Sequence, residues 1–166
     1  MAKARKQSSG TPATVALERA GIAFTVHTYE HDPAAASYGL EAAEALGLDP
    51  DLVFKTLLAD ADGELVVGIV PVAGQLDLKA LAAAVGTKKA AMADPVVAAR
   101  VTGYVVGGIS PIGQKKQLRT VLDDSALAAD RLYVSGGRRG MDLGLRPEDL
   151  VAVTGALTAS ISRSRS

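Results

Sequence analysis

Apolar and polar residues alternate along this chain in short blocks, and the punctuation between blocks predicts most of the elements. Thr11-Pro12 reads as a helix cap with proline at the first helical position, opening a helix that stops near Gly21. Phe24 to Tyr29 alternates as a strand, and Ser37 caps a second helix running to Leu46, with Gly47 as its stop. Val53–Ala59 and Glu64–Val72 are β-rich runs joined by Asp62-Gly63, a strong hairpin signal. Asp77 starts an Ala/Leu-rich helix ending at Gly86, Lys88–Met92 reads as a short strand, and Asp94-Pro95 opens a helix to about Arg100. Further strands are expected at Tyr104–Val106, Leu118–Leu122, Leu132–Ser135 and Met141–Leu145, and Arg146-Pro147 leads into a last helix to about Val153.

Helices and strands interleave, yet hairpins are frequent and the strand-helix-strand spacing is irregular. The expected class is therefore α/β in the mixed α+β sense, with a mixed sheet rather than a doubly wound parallel one. No internal repeat is visible. The polar, basic stretch 1–10 predicts a disordered tail, residues 11–155 form the single folded domain, and the Ser/Arg-rich stretch 156–166 predicts a second disordered tail.

Composition narrows the chemistry. At 166 residues, 48% hydrophobic and 22% charged, the chain can bury its own core as a soluble globular domain. With aromatics at 4% and no tryptophan, large stacking platforms for single-stranded nucleic acid are not expected. The absence of cysteine excludes disulfides, zinc-thiolate sites and a catalytic thiol. No apolar run has transmembrane length, and Lys3, Arg5 and Lys6 are not followed by an apolar stretch, so neither a membrane association nor a secretory signal is expected and the default compartment is the cytoplasm. The formal net charge is zero but segregated. Lys55 is the one Lys or Arg between Arg19 and Lys79, whereas Lys88, Lys89, Arg100, Lys115, Lys116 and Arg119 face a single acid, Asp94. Such a basic zone, extended by Arg138 and Arg139, suits partial contact with a polyanion or ordinary solvated charge equally.

The stretch Thr102 to Lys116 carries the densest special backbone: Gly107, Gly108, Pro111 and Gly113, followed by Lys115 and Lys116. Adjacent glycines allow close approach of another molecule to bare amides, and proline holds the turn in one shape. That combination suits a carboxyl, ester or phosphate oxygen, and it suits a purely structural turn as well. Ser110 is not a nucleophile elbow, because Ile112 stands where glycine is required; it reads as a turn residue. His27-Thr-Tyr-Glu-His31 matches a metalloprotease pattern, but on a strand residues four apart lie roughly 13 Å from each other, too far to share a zinc ion. No metal and no cofactor is expected. Ser135 to Gly140 forms a second glycine turn that presents Arg138 and Arg139 either to phosphate or to solvent.

Lys55 is the sharper candidate. It sits within Val53-Phe-Lys-Thr-Leu-Leu58, where alternation puts it on the face of Val53 and Leu57 and Thr56 on the other. A lysine there must snorkel, pair or lose its proton. It is a site residue, a salt-bridged structural lysine, or a charged gatekeeper on an edge strand.

Taken together, Thr28-Tyr-Glu-His-Asp-Pro33, Val53 to Leu58, Pro71 to Leu78, Met92-Ala-Asp-Pro95, Gly103 to Pro111 and Tyr133-Val-Ser-Gly-Gly137 resemble the YbaK family of bacterial deacylases. These are free-standing relatives of the editing domain inserted in bacterial prolyl-tRNA synthetases. The resemblance runs over about residues 12–155. It implies a mixed, partly barrel-like sheet core flanked by helices, an aminoacyl-tRNA deacylase domain over 11–155, and hydrolysis of Cys-tRNA(Pro) and Cys-tRNA(Cys), with prolyl-tRNA synthetase as partner. By position, Lys55 matches the family's essential lysine, and Gly107, Gly108, Ser110 and Pro111 lie in its glycine loop. Tyr29, Tyr38, Thr56 and Asp142 match pocket positions, Tyr38 standing where relatives often carry Phe. In the family the substrate's own thiol attacks its ester carbonyl, so no protein nucleophile is implied. A sister deacylase acting on Ala-tRNA(Pro), and a non-catalytic module binding tRNA or synthetase, are the alternatives.

Overall fold

The computed structural model describes residues 10–35 and 37–164. The basic stretch expected to be disordered lies outside them apart from Gly10. Five α-helices are described: α1 Pro12–Arg19, α2 Tyr38–Leu46, α3 Leu78–Val85, α4 Pro95–Thr102 and α5 Pro147–Thr154. They start where the capping residues place them. The Thr11 and Thr14 side chains each bond the other's main-chain N–H, and the Ser37, Asp77 and Asp94 side chains accept from Leu40, Ala80 and Val96.

The central sheet has the order β5-β2-β3-β6-β9, formed by Ala90–Met92, Phe54–Ala61, Glu64–Pro71, Arg119–Asp123 and Leu157–Ala159. β2 lies antiparallel to β3 and β5, while β3–β6 and β6–β9 are parallel, so the sheet is mixed as expected. β2 and β3 meet in a two-residue turn, Asp62 at φ +52° and Gly63 at φ +94°, the geometry that an Asp-Gly pair favours. β3 is the central strand. Val67 and Ile69 join the core built with β7 (Leu132–Arg138), β8 (Met141–Leu145) and α1, while Val66 and Val70 join the core under α3. A strand covered on both faces reads as a continuous apolar run rather than an alternation, as Leu65 to Val70 does.

A second, antiparallel sheet has the order β1-β8-β7 (Thr25–Thr28, Met141–Leu145, Leu132–Arg138), and β4 (Gly74–Leu76) pairs with β10 (Ser162–Ser164). The expectation of a partly barrel-like core is corrected here, because the sheets are not closed. Just before β2, Val53 makes a single bridge with Tyr133 of β7, and among the described residues no ladder joins β2 to β7; β5 pairs with β2 at Ala59–Ala61 alone, since Asp94-Pro95 turns the chain into α4.

Two other expectations are corrected. Tyr104–Val106 is not a strand. Tyr104 is buried within the loop and its hydroxyl donates to the Ile112 carbonyl at 2.7 Å, a local anchor that competes with any strand pairing. Within the tail expected to be disordered, Leu157–Ala159 and Ser162–Ser164 are strands, and Ile161 is fully buried between them. The Asp123 carboxylate holds this segment, accepting from the N–H groups of Ile161 (2.9 Å) and Ser162 (3.0 Å) and from Ser125. One buried aliphatic anchor, Ile161, and a distant carboxylate outweigh the Ser/Arg composition. Residues 165 and 166 lie outside the described residues.

Candidate active site

A cavity of about 370 Å³ occupies the gap beside β2. Five consecutive residues of that strand, Phe54 to Leu58, line it, which requires that the strand's edge and not just one face borders the space. α2 closes one side through Ser37, Tyr38, Gly39 and Ala42, and the start of α4 closes another through Pro95 and Ala98. Val106, Gly107 and Ile109 come from the glycine loop, and Ser135 and Asp142 from the β7–β8 pair. Lys55 and Asp142 are the one basic and the one acidic side chain of this lining.

Six of the nine site residues expected from the sequence therefore converge: Tyr29, Tyr38, Lys55, Thr56, Gly107 and Asp142. Gly108, Ser110 and Pro111 are not among the residues that line the cavity. A Cβ on Gly108 would lie 2.8 Å from the Arg138 Cα and carbonyl carbon, so its bareness admits the β7–β8 turn. Ser110 is fully buried, its hydroxyl accepting from Ile112 N–H at 3.2 Å and its carbonyl from Gln114 Nε2 at 2.9 Å. It is a turn residue, as its sequence context suggested.

Tyr38 guards the mouth and is 38% exposed. His31 stacks on its ring with 5.5 Å between centroids, and the Arg139 guanidinium lies 5.3 Å from the ring centroid. Arg139 Nε also donates to the Val106 carbonyl at 2.8 Å, tying the β7–β8 turn to the glycine loop. His31 is held in turn by Glu41, Nδ1 to Oε1 at 2.8 Å, while His27 reaches Thr25 Oγ1 at 2.7 Å. The two histidines thus serve different partners, and among the described residues no group of three His, Asp or Glu side chains could hold a metal ion.

Asp142 is 5% exposed, and burial raises its carboxyl pKa to about 6. Tyr29 is raised to about 12 by burial first, then by the neighbouring charges of Asp142 and Glu41, and so keeps its proton. Thr56 Oγ1 is buried without a hydrogen-bond partner. Ser37, Gly39 and Ser135 were missed as site residues by sequence reasoning. Gly39 had a faint signal as a glycine inside a helix; it lets α2 settle against Val72 and next to Lys55, where a Cβ would collide with Val72 Cγ1. Ser135 reaches the cavity because β7 pairs it with Asp142, a register that no local pattern reveals.

Among the described residues no helix is long and apolar enough to cross a membrane. Known proteins agree with the architecture. A structure assigned as a trans-editing enzyme for prolyl tRNA synthetase superposes with a TM-score of 0.79 at 26% identity, over 94% of this chain and 98% of that one. A hypothetical protein, APE2540, gives a TM-score of 0.82 at 24% identity over 92% of this chain and 100% of that one, a likeness of fold. By sequence, a protein of Enterococcus faecalis (strain ATCC 700802 / V583) assigned as Cys-tRNA(Pro)/Cys-tRNA(Cys) deacylase EbsC is 40% identical over 121 residues, 72% of this chain and 74% of the relative. Residues 32–153 match the aminoacyl-tRNA editing domain, and they contain eight of the nine expected site residues and most of the cavity wall. With that match and that relative, the chain belongs to the aminoacyl-tRNA editing domain family and is an aminoacyl-tRNA deacylase.

Proposed function

We propose that this chain is a trans-editing hydrolase that strips cysteine from mischarged tRNA(Pro), and from Cys-tRNA(Cys), acting beside prolyl-tRNA synthetase in the cytoplasm. The observation that carries the reading is the make-up of the cavity. It is an apolar room of about 370 Å³ with one ammonium, one carboxylate and no histidine in its wall. A room of that size accommodates the aminoacyl end of a tRNA. The substrate named for the Enterococcus relative supports cysteine as the amino acid.

Editing answers a selectivity limit: a synthetase shaped for proline cannot strongly reject another small amino acid, so a second site removes the error. In this reading the Lys55 ammonium holds the terminal adenosine or its phosphate. Asp142 supplies negative charge for the α-ammonium, Tyr29, Tyr38 and Thr56 bound the acyl end, and Gly107 lets it approach the main chain. Gly108, Ser110 and Pro111 keep the loop in shape. Ser110 is buried in its turn and neither histidine lines the wall, which leaves the substrate or water as the source of the nucleophile; in this reading it is the substrate's own thiol, as the family resemblance implies. The cysteine thiolate adds to its own ester carbonyl carbon, the ester C–O bond breaks, and the ribose oxygen leaves and takes a proton. A thiolactone is released, which water opens to cysteine.

Deacylation of Cys-, Ala- and Pro-tRNA(Pro) by the pure protein tests this. Cysteine is expected to be lost fastest. Preferential loss of alanine would reassign the chain as a sister editing enzyme, and tRNA binding without any deacylation would make it a non-catalytic module.

A further inference from the structure

The edge of β2 that borders the cavity is a row of main-chain groups, and the register says which residue presents them. Val72 N–H donates to the Val53 carbonyl at 2.8 Å, so Val53 and Val72 form a hydrogen-bonded pair. In an antiparallel ladder such pairs alternate, and the pairing of Phe54 with Pro71 puts the proline, which has no N–H, at a pair that needs none. Lys55, Leu57, Ala59 and Ala61 therefore turn their N–H and C=O groups towards β3. Phe54, Thr56, Leu58 and Asp60 turn theirs the other way. Ala93 N–H donating to the Leu58 carbonyl at 3.0 Å agrees with this, because Leu58 is answered from the β5 side.

On that second edge β5 covers Ala59–Ala61, and β7 covers the residues flanking Val53 through its bridge, Tyr133 N–H donating to the Leu52 carbonyl at 2.9 Å. Thr56 sits midway between the two coverings. By this register its N–H and C=O lie on the edge that borders the cavity, and among the described residues no strand is registered against Thr56 on that edge. Its side-chain Oγ1 is buried and unsatisfied at the same place. An unsatisfied buried hydroxyl is costly, so its persistence next to an uncovered edge points to a ligand that completes the site.

We infer that the open edge at Thr56 binds the backbone of the substrate's amino acid as a one-residue β-strand, N–H to the ester carbonyl oxygen and C=O to the α-ammonium. The fit is one of spacing. An aminoacyl ester presents a donor and an acceptor on either side of one Cα, the arrangement that a strand residue shows to its partner in a hydrogen-bonded antiparallel pair. Such docking reads what all amino acids share and leaves side-chain selection to the rest of the wall. It also aligns the reacting atom: as a nucleophile adds to the carbonyl carbon, charge gathers on the oxygen that Thr56 N–H already holds, and that bond strengthens before the ribose oxygen is expelled. The inference rests on the deacylase reading above and adds the main-chain group that grips the acyl end.

The test replaces the Thr56 amide with an ester, by incorporating the α-hydroxy analogue of threonine at position 56. This removes one N–H that faces the cavity and keeps every side chain. The probe is 3′-alanylamino-3′-deoxyadenosine, an unreactive amide analogue of an aminoacyl-adenosine, titrated into wild type and variant. We expect the variant to fold but to unfold somewhat below the wild-type temperature, because the ester also weakens the Lys55 carbonyl as an acceptor in its pair with Val70, to bind the probe about tenfold more weakly, and to lose at least that much in kcat/KM on Cys-tRNA(Pro). In 15N-labelled wild type the Thr56 amide resonance should move on binding. Equal binding by both proteins, an unmoved Thr56 resonance, or no binding by wild type overturns the inference. The deacylase reading falls separately, if wild type cleaves none of the aminoacyl-tRNAs.

Discussion

The Tyr38 ring fills the space that a side chain at residue 107 would need: a Cβ on Gly107, whose φ is +86°, would lie 2.6 Å from Tyr38 Cε1. Two demands meet at Gly107, a left-handed backbone and an aromatic ring at van der Waals contact, and glycine alone meets both. The contact joins the start of α2 to the glycine loop across the mouth of the cavity. Gly107→Ala should cost about 1–2 kcal/mol in stability and push Tyr38 out of place. With the mouth displaced by about 1 Å, kcat/KM should fall about tenfold to a hundredfold. Equilibrium unfolding and deacylation kinetics measure the two effects, and wild-type kcat/KM in this variant would show that the mouth does not position substrate.

Lys55→Ala should abolish deacylation and leave the fold intact. The cation borders the cavity on a strand whose neighbours Phe54 and Leu58 are buried. Circular dichroism and the unfolding midpoint report the fold, and single-turnover deacylation reports the chemistry. A large loss of midpoint with normal activity per folded molecule would make Lys55 a structural cation instead.

Asp142 should give the protein a stability that declines with pH. Its folded pKa, about 6, lies above the ordinary carboxyl value of 3.8, so the native state binds more protons than the unfolded chain between those values. The contribution is full below about pH 4 and is lost as pH rises through about 6, amounting to about 3 kcal/mol. Asp142→Asn should flatten that window and be the more stable protein at pH 7. If the carboxylate faces the substrate's ammonium, the same substitution also removes a rise of kcat/KM through about pH 6. Urea unfolding and pH–rate profiles on both proteins are the measurements, and identical stability profiles would show that burial does not control this carboxyl.

Asp123→Ala should release the C-terminal strands. Its buried carboxylate accepts two N–H bonds from Ile161 and Ser162, and hydrogen bonds to charged groups contribute about 1.5–3 kcal/mol. Hydrogen exchange should rise over residues 157–164, with activity per folded molecule unchanged because Asp123 does not line the cavity. Unchanged protection of Ile161 would show that burial alone holds the segment.

The source of the nucleophile is tested on the substrate. Cys-tRNA(Pro) should be cleaved at least a hundredfold faster than Ser-tRNA(Pro), since thiol and hydroxyl differ chiefly in access to the reactive anion. Thiolactone should appear before free cysteine, and Ser110→Ala should retain most activity. Equal rates, with solvent oxygen entering the first-formed amino acid, would establish attack by water.

Much of this architecture is written locally. Thr11-Pro12, Ser37, Asp77 and Asp94-Pro95 specify helix starts because a capping side chain and its amides lie within three residues of each other. Asp62-Gly63 specifies its hairpin for the same reason, and the motifs around Lys55 and Gly107 were distinctive enough to name the family. What needed tertiary structure is pairing between distant segments. Ile161 anchors a Ser/Arg-rich tail only because β6 and Asp123 are there to receive it. Ser135 joins the site because β7 registers it against Asp142, and Gly108 lies where a Cβ would meet the main chain of Arg138. The edge of β2 at Thr56 has no ladder partner among the described residues because β5 pairs at Ala59–Ala61 alone and β7 meets the chain in the single bridge of Tyr133 with Val53. Caps and turns are decided by neighbours in sequence; a cavity is decided by where two strands stop pairing, and that is a property of the assembled sheet.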